Sequence, residues 1–185
     1  MRWLTLAFFG ALLILAAAPA LGPIAFEEIA DRAGIHFVGD NSPTANKNLP
    51  ETMLAGVALF DYDNDGYLDI YFVNGAAIPS LKKESPKYWN RLFHNNHDGT
   101  FTDVTEKAGV KGEGYGIGVA IGDYDNDGWP DIFVANVTKN QLFHNNRNGT
   151  FTDVTDKAGV GGAMLDGQKM WAVSAGWFEI GRAHV

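Results

Sequence analysis

DYDNDGYLDIYFVN, residues Asp61–Asn74, returns as DYDNDGWPDIFVAN at Asp123–Asn136. Three carboxylates within five positions repel one another, and Asp favours turns over regular elements because its side chain bonds to nearby backbone N–H groups. Such crowding, written twice and each time leading straight into an apolar run, asks for a compensating charge. A bound cation supplies it.

Both loops fit D-x-D-x-D-G-x-x-D. Calcium is a hard ion that gathers about six to eight oxygens, and carboxylates at alternating positions of a tight loop can surround it. The expected ligands are the side chains of Asp61, Asp63, Asp65 and Asp69 with the main-chain carbonyl of Tyr67. Asp123, Asp125, Asp127, Trp129 and Asp131 form the corresponding second set. Gly66 and Gly128 allow the reversal of the chain, and Asn64 and Asn126 tolerate a left-handed backbone. An EF-hand shares the first half of this pattern but needs an acidic twelfth residue, where this chain has Phe72 and Val134. The flanks also read as strands rather than amphipathic helices.

Outward from the loops the repetition continues. NRLFHNNHDGTFTDVTEKAGV, Asn90–Val110, matches NQLFHNNRNGTFTDVTDKAGV, Asn140–Val160, and FEEIADRAGI at Phe26–Ile35 is a more degraded copy of the FTDVTEKAGV end. Each unit reads as four short strands. GVALFDY or GVAIGDY precedes the loop, LDIYFVN or PDIFVAN follows it, and NRLFHNN or NQLFHNN meets TFTDV across a hairpin. Asp98-Gly99 and Asn148-Gly149 are expected to supply the positive φ of those hairpins. TEKAGV and TDKAGV suit either one helical turn or a loop. The stretch Gly75–Trp89, with two prolines, reads as a surface insertion in the first unit. A four-stranded antiparallel unit cannot bury both faces alone, and stacking such units side by side gives an all-β propeller.

The whole chain is consistent with this. It has 185 residues, 46% of them hydrophobic, 22 glycines, no cysteine and a formal net charge of -8. Acidity disfavours nucleic acid, which needs a basic footprint. Two divalent cations would bring the charge from -8 to -4, so the acidity reads as site chemistry. With no cysteine, stapling must come from metal or packing. The start, MRWLTLAFFGALLILAAAPALG, has one basic residue, an apolar stretch and Ala18-Pro19-Ala20, the pattern of a cleavable export signal over residues 1–20, with an uncleaved anchor as the alternative. Either places the remainder outside the cytoplasm: secreted, periplasmic or at the cell surface.

DYDNDGYLDIYFVNG followed by NRLFHNNHDGTFTDVTEKAGV resembles the FG-GAP/VCBS repeats of integrin-α-type propellers, and more closely the ASPIC/UnbV, cartilage acidic protein-like, group. The resemblance implies a seven-bladed propeller in the complete protein, with calcium in loops between the first two strands of a blade. The FG-GAP letters themselves are kept only loosely, as GVALFDY and GVAIGDY. Residues 21–178 are then a partial propeller, with blades at about 54–110 and 115–160 and the start of a third at 169–178. Aligning GVALFD with SAGWFE puts Glu179 where a third loop would begin. The final EIGRAHV, residues 179–185, resembles translated sequencing adapter, so it reads as a non-native tail on an interrupted chain. Such a piece, with open sheet edges, is expected to be marginally stable or prone to aggregate.

Other residues receive plainer readings. His94 and His144 occupy equivalent places in LFHNN, but no Cys, Glu or second His stands in fixed register, so they are assigned to the hairpin surface. Phe93, Phe101, Phe143 and Phe151 are expected between blades, and Trp89, Trp129, Trp171 and Trp177 in packing rather than on sugars. Of the acceptor patterns Asn136-Val137-Thr138 and Asn148-Gly149-Thr150, only the second is expected to be accessible. No catalytic constellation stands out. The function expected is a calcium-held, non-catalytic binding or adhesion scaffold for an extracellular protein or glycan. The alternative is the non-catalytic part of an extracellular enzyme.

Overall fold

The computed structural model describes residues 24–53 and 56–178. The export signal at 1–20 and the tail at 179–185 lie outside the described residues. Two four-stranded antiparallel sheets dominate, each with its strands in sequence order. The first holds β1 (Val57–Phe60), β2 (Asp69–Phe72), β3 (Arg91–Asn95) and β4 (Phe101–Asp103), and a one-turn helix α1 (Thr105–Ala108) follows. The second holds β5 (Gly116–Gly122), β6 (Asp131–Asn136), β7 (Gln141–Asn145) and β8 (Phe151–Asp153), again followed by a helical turn, α2 (Thr155–Ala158). A small hairpin, β9 (Met164–Leu165) and β10 (Gln168–Lys169), comes after them and has no counterpart in the sequence reading.

Alternation along the strands decides what each sheet buries. In the first sheet Ala58 pairs with Tyr71 and Tyr71 with Leu92, so these three share one face. In the second, Ile121 pairs with Ile132 and Ile132 with Phe143. Those two faces meet in a single core that includes Phe60, Tyr71, Val73 and Leu92 from one sheet and Ile132, Val134, Phe143 and Phe151 from the other. Each large side chain buried there contributes about 1.5–3 kcal/mol. Phe93, Phe143 and Phe151 are buried as expected, while Phe101 is only half-buried. This is face-to-face stacking of propeller blades, and the chain is nearly all β.

The two polar devices that close each blade explain the repeated TDVT. Asp103 Oδ1 accepts from the Thr105 backbone N–H and hydroxyl, and Thr105 Oγ1 in turn accepts from Leu92 N at 2.9 Å. Asp153, Thr155 and Leu142 repeat the arrangement. The ambiguous TEKAGV and TDKAGV segments resolve as helical turns, each stopped by a glycine at positive φ, Gly109 at 77° and Gly159 at 70°.

The seam between blades is narrow at the inner strands. A β-carbon on Gly116 would collide with Val73 and the carbonyl of Asn74, and Gly116 N donates to that carbonyl at 3.1 Å. Farther along, Ala172 N donates to Asn136 O at 3.3 Å, and Trp177 lies against Gly122. Residues 172–178 thus run beside β5 as β5 runs beside β1. At the other end, Ala33 O accepts from Phe101 N at 2.8 Å, and the Phe37 ring stacks on Phe72 with centroids 4.5 Å apart. That covers part of the first sheet's outer face. The insertion is tied down by Lys83, whose ammonium donates to the carbonyls of Asn74, Gly75 and Tyr88 at 2.7–2.8 Å. Among the described residues no helix is long and apolar enough to cross a membrane.

Candidate metal centres

The loop Asp61–Leu68 joins β1 to β2, and its counterpart Asp123–Pro130 joins β5 to β6. Their internal bonds match one for one. Asp61 Oδ1 accepts from Asp65 N at 3.0 Å and Oδ2 from Gly66 N at 2.8 Å; Asp123 accepts from Asp127 N at 2.9 Å and Gly128 N at 2.8 Å. Asp65 Oδ1 accepts from Tyr67 N, and Asp127 Oδ1 from Trp129 N, both at 2.9 Å. The backbone takes the anticipated turn, with φ of 58° at Asn64, 59° at Asn126, 90° at Gly66 and 88° at Gly128.

Asp69 and Asp131 belong to strands and are fully buried. Asp69 Oδ2 accepts from Tyr62 N at 3.1 Å and Oδ1 from Asn95 N at 2.8 Å; Asp131 Oδ2 accepts from Tyr124 N at 2.9 Å and Oδ1 from Asn145 N at 2.8 Å. These bonds aim the strand carboxylate back into the loop. Carboxylate oxygens of Asp61, Asp63 and Asp65 lie within 4.8 Å of one another, as do those of Asp123, Asp125 and Asp131. Asp69 groups likewise with Asp63 and His94, and Asp127 with Asp125 and His144, so the structure brings the eight expected carboxylates into two knots. Tyr67 and Trp129 sit on the loop rims, where their backbone N–H groups brace Asp65 and Asp127.

Three of the carboxylates are placed unfavourably as anions. Burial, followed by the charge of Asp65, pushes the Asp63 carboxyl above its ordinary range, and burial does the same at Asp69 and Asp131. Asp63 Oδ1 is buried with no hydrogen-bond partner among the described residues. An orphaned anionic oxygen of this kind is costly unless something positive meets it. The all-oxygen donor set suits a hard divalent ion. Asp65 and Asp127 go the other way: the Tyr67 N–H holds Asp65 low, and the Arg147 guanidinium holds Asp127 low.

His94 and His144 do not sit on the hairpin surface as the sequence reading assigned them. Strand alternation puts Asp69 on the face of Tyr71 and His94 on the face of Leu92, and the β2–β3 register brings those faces together. His94 Nδ1 lies 3.3 Å from Asp69 Oδ1 and 3.4 Å from Asp63 Oδ2, while His144 Nδ1 lies 3.2 Å from Asp131 Oδ1 and 3.6 Å from Asp125 Oδ2. Two further residues reach the loops from the hairpin after β3 and β7. His97 Nε2 is 2.5 Å from Asp65 Oδ2, and Arg147 donates to Asp127 Oδ2 from Nε at 3.0 Å and Nη2 at 2.6 Å. The positive φ expected on Asp98 and Asn148 falls instead on His97 at 65° and Arg147 at 63°, with Gly99 and Gly149 as the second left-handed residue. The hairpin is thus a wider turn, closed by Asn96 N donating to Thr100 O at 2.9 Å.

The sequence hid this because the insertion breaks the spacing: 25 residues separate Asp69 from His94, and 13 separate Asp131 from His144. The usable signal was that LFHNN follows β2 and β6 as their hairpin partner. Asn145 was missed for the same reason. It is fully buried, and its side chain donates to Tyr62 O at 2.7 Å and Pro130 O at 3.2 Å, joining the second blade to the first loop. Asn136 is also buried, its Nδ2 donating to Lys139 O, so of the two acceptor patterns only Asn148 is exposed.

Comparison with known proteins agrees with the geometry. A stretch of 48 residues, 25% of this chain, is 48% identical to cartilage acidic protein 1 of Homo sapiens, and that stretch spans 7% of the human protein's length. The model of the FG-GAP-like repeat family matches twice, at residues 61–134 and 123–176, each match beginning at the first aspartate of a loop and the two together covering more than half of the chain. With two four-stranded blades of the same strand order, this chain belongs to the FG-GAP-like repeat family.

Proposed function

We propose that each loop holds one calcium ion and that the chain is part of an exported, non-catalytic propeller scaffold that binds an extracellular protein or glycan. In the first blade Asp61, Asp63, Asp65 and Asp69 would hold the ion with the carbonyl of Tyr67; in the second, Asp123, Asp125, Asp127 and Asp131 with that of Trp129. Calcium supplies charge neutralisation and a cross-link between the loop and its strands. The observation that carries the reading is the buried Asp63 Oδ1, without a hydrogen-bond partner among the described residues, within a knot of carboxylates. The family membership supports the scaffold role, and the apolar start of the chain supports export. The blade limits proposed are about 54–110 and 115–160, with a third beginning at 169–178, a reading favoured by the path of residues 172–178 beside β5.

Thermal unfolding in calcium and in chelator tests it. A ligand that binds only the native state stabilises by about 2.7 kcal/mol at a hundred times its Kd. Two sites should raise the midpoint by several degrees, and Asp65→Ala should remove the first site's share. An unchanged midpoint in calcium would sink the assignment.

A further inference from the structure

The two metal centres are not equivalent, and the difference lies in one pair of residues at the same repeat position, His97 and Arg147. In the first blade the ligand atoms of Asp65, His94 and His97 lie within 4.8 Å of one another, and those of Asp63, Asp69 and His94 do likewise. His94 Nδ1 is buried and has no hydrogen-bond partner among the described residues, although two carboxylates stand near it. His97 is braced for the same space. Its ring stacks on Tyr67 with centroids 3.8 Å apart, and its left-handed backbone turns it over the loop, where Nε2 meets Asp65 Oδ2.

Two imidazoles beside carboxylates are the wrong donors for calcium, which takes oxygen, and the right ones for borderline dications such as zinc. Zinc holds ligand atoms at about 2.0–2.1 Å in a tetrahedron, which places those atoms about 3.3 Å apart. A set already confined within 4.8 Å needs little closure to reach that.

In the second blade the equivalent of His97 is Arg147. A guanidinium has no lone pair to give, and its donation to Asp127 Oδ2 places a fixed positive charge at the loop's outer oxygen. His144 remains beside Asp125 and Asp127 as a single imidazole. The same fold thus sets two imidazoles beside the carboxylates of one loop, and one imidazole with a guanidinium beside those of the next.

We propose that the first blade carries a mixed nitrogen and oxygen site for a transition-metal dication of the zinc class, formed by Asp65, His94 and His97, and that Arg147 withholds this property from the second blade. The inference rests on reading the loops as cation sites, and it adds beside the first loop's carboxylate site an overlapping nitrogen-bearing one that shares Asp65.

Zinc chloride titrated calorimetrically into the chain, followed by imidazole ¹⁵N spectra, tests it. The expected result is one tight zinc equivalent, with the His94 and His97 nitrogens shifted and His36 unmoved. His97→Arg, a residue the equivalent turn already carries, should weaken that equivalent at least about tenfold, since even partners one shell removed from a metal are worth this much. Arg147→His should create a second zinc equivalent. No zinc binding, an affinity unaltered in His97→Arg, zinc shifts at His36 in place of His94 and His97, or no gain in Arg147→His would each overturn the proposal. Calcium titrated into the unmodified chain reports on the underlying reading separately: its failure there leaves the zinc outcome intact.

Discussion

Asn95 and Asn145 occupy the same repeat position, yet replacing them by alanine should have very different consequences. Asn145 is completely buried; its Nδ2 donates to Tyr62 O at 2.7 Å and Pro130 O at 3.2 Å, and its Oδ1 accepts from Arg147 N at 2.9 Å. Asn145→Ala removes three bonds and strands two carbonyls, one of them at the interface with the first blade's loop. A net bond is worth about 1 kcal/mol and an unmet buried acceptor costs about 1–3 kcal/mol, so the loss should be about 3 kcal/mol. Asn95 makes two bonds, Nδ2 donating to Leu68 O at 3.1 Å and Oδ1 accepting from His97 N at 3.0 Å, both in an exposed setting where water can replace them, and the expected loss is about 1 kcal/mol. For a chain of this size each kcal/mol moves the melting midpoint by about 2–4 °C, giving a drop of about 6–12 °C for Asn145→Ala against about 2–4 °C for Asn95→Ala. Circular dichroism melts of both variants in saturating calcium read this directly. Equal drops would refute the claim that Asn145 locks one blade's loop to the next.

Two more perturbations probe packing and charge. Gly116→Ala places a methyl against Val73 and the Asn74 carbonyl at the seam of the inner strands, and should cost about 3 kcal/mol or more by forcing the blades apart. Gly99→Ala meets nothing within 4 Å and should cost only the roughly 1 kcal/mol of its left-handed backbone, so urea melts giving the two variants equal midpoints would contradict the seam. The Glu51 carboxylate accepts from the Thr44 hydroxyl and backbone and from Asn48, first among these the Thr44 hydroxyl, and is held down to about 2. A depressed acid stabilises the native state above its unfolded pKa and loses that contribution as pH falls through the folded one. The stability gap between the unmodified chain and Glu51→Gln should therefore be constant at neutral pH and close between about pH 4.5 and 2; a gap that stays constant to pH 2 would show that those bonds do not favour the ionised form.

The blade was legible because each of its cues acts locally. Strand alternation, the DG and NG turns and the Asp spacing of the loop are all set within about ten residues, and all recur, which is why the strands appear where LDIYFVN and NQLFHNN placed them. The site was legible only as far as it is local. The eight aspartates fall within nine-residue stretches of loop and adjoining strand, so their clustering is legible in the spacing, whereas His94, His97, His144 and Arg147 arrive from the neighbouring hairpin, and their approach depends on β2–β3 and β6–β7 pairing. The positive φ expected at Asp98-Gly99 falls on His97 and Gly99, and the left-handed backbone at His97 turns that side chain over the loop. The buried Asn145 was hidden for a further reason: its partner Tyr62 is 83 residues away in another blade, and nothing within one repeat specifies how repeats stack.

The pattern of what varies between the two blades makes a physical argument about where specificity resides. Every residue that sets the loop backbone, from the first aspartate to the glycine, is identical in the two copies, and so is the strand aspartate that receives two backbone N–H groups. Change there would unfold the turn. The side chains of residues 97 and 147 reach the outer oxygens of Asp65 and Asp127, that of His97 also stacking on Tyr67, and their backbone need is met by either side chain, at φ of 65° and 63°. That position carries an imidazole in one blade and a guanidinium in the other on the same backbone turn. It follows that blades of this kind can keep one scaffold while giving each loop its own charge and, if the loops hold cations as proposed, its own preference among them, through the hairpin residue.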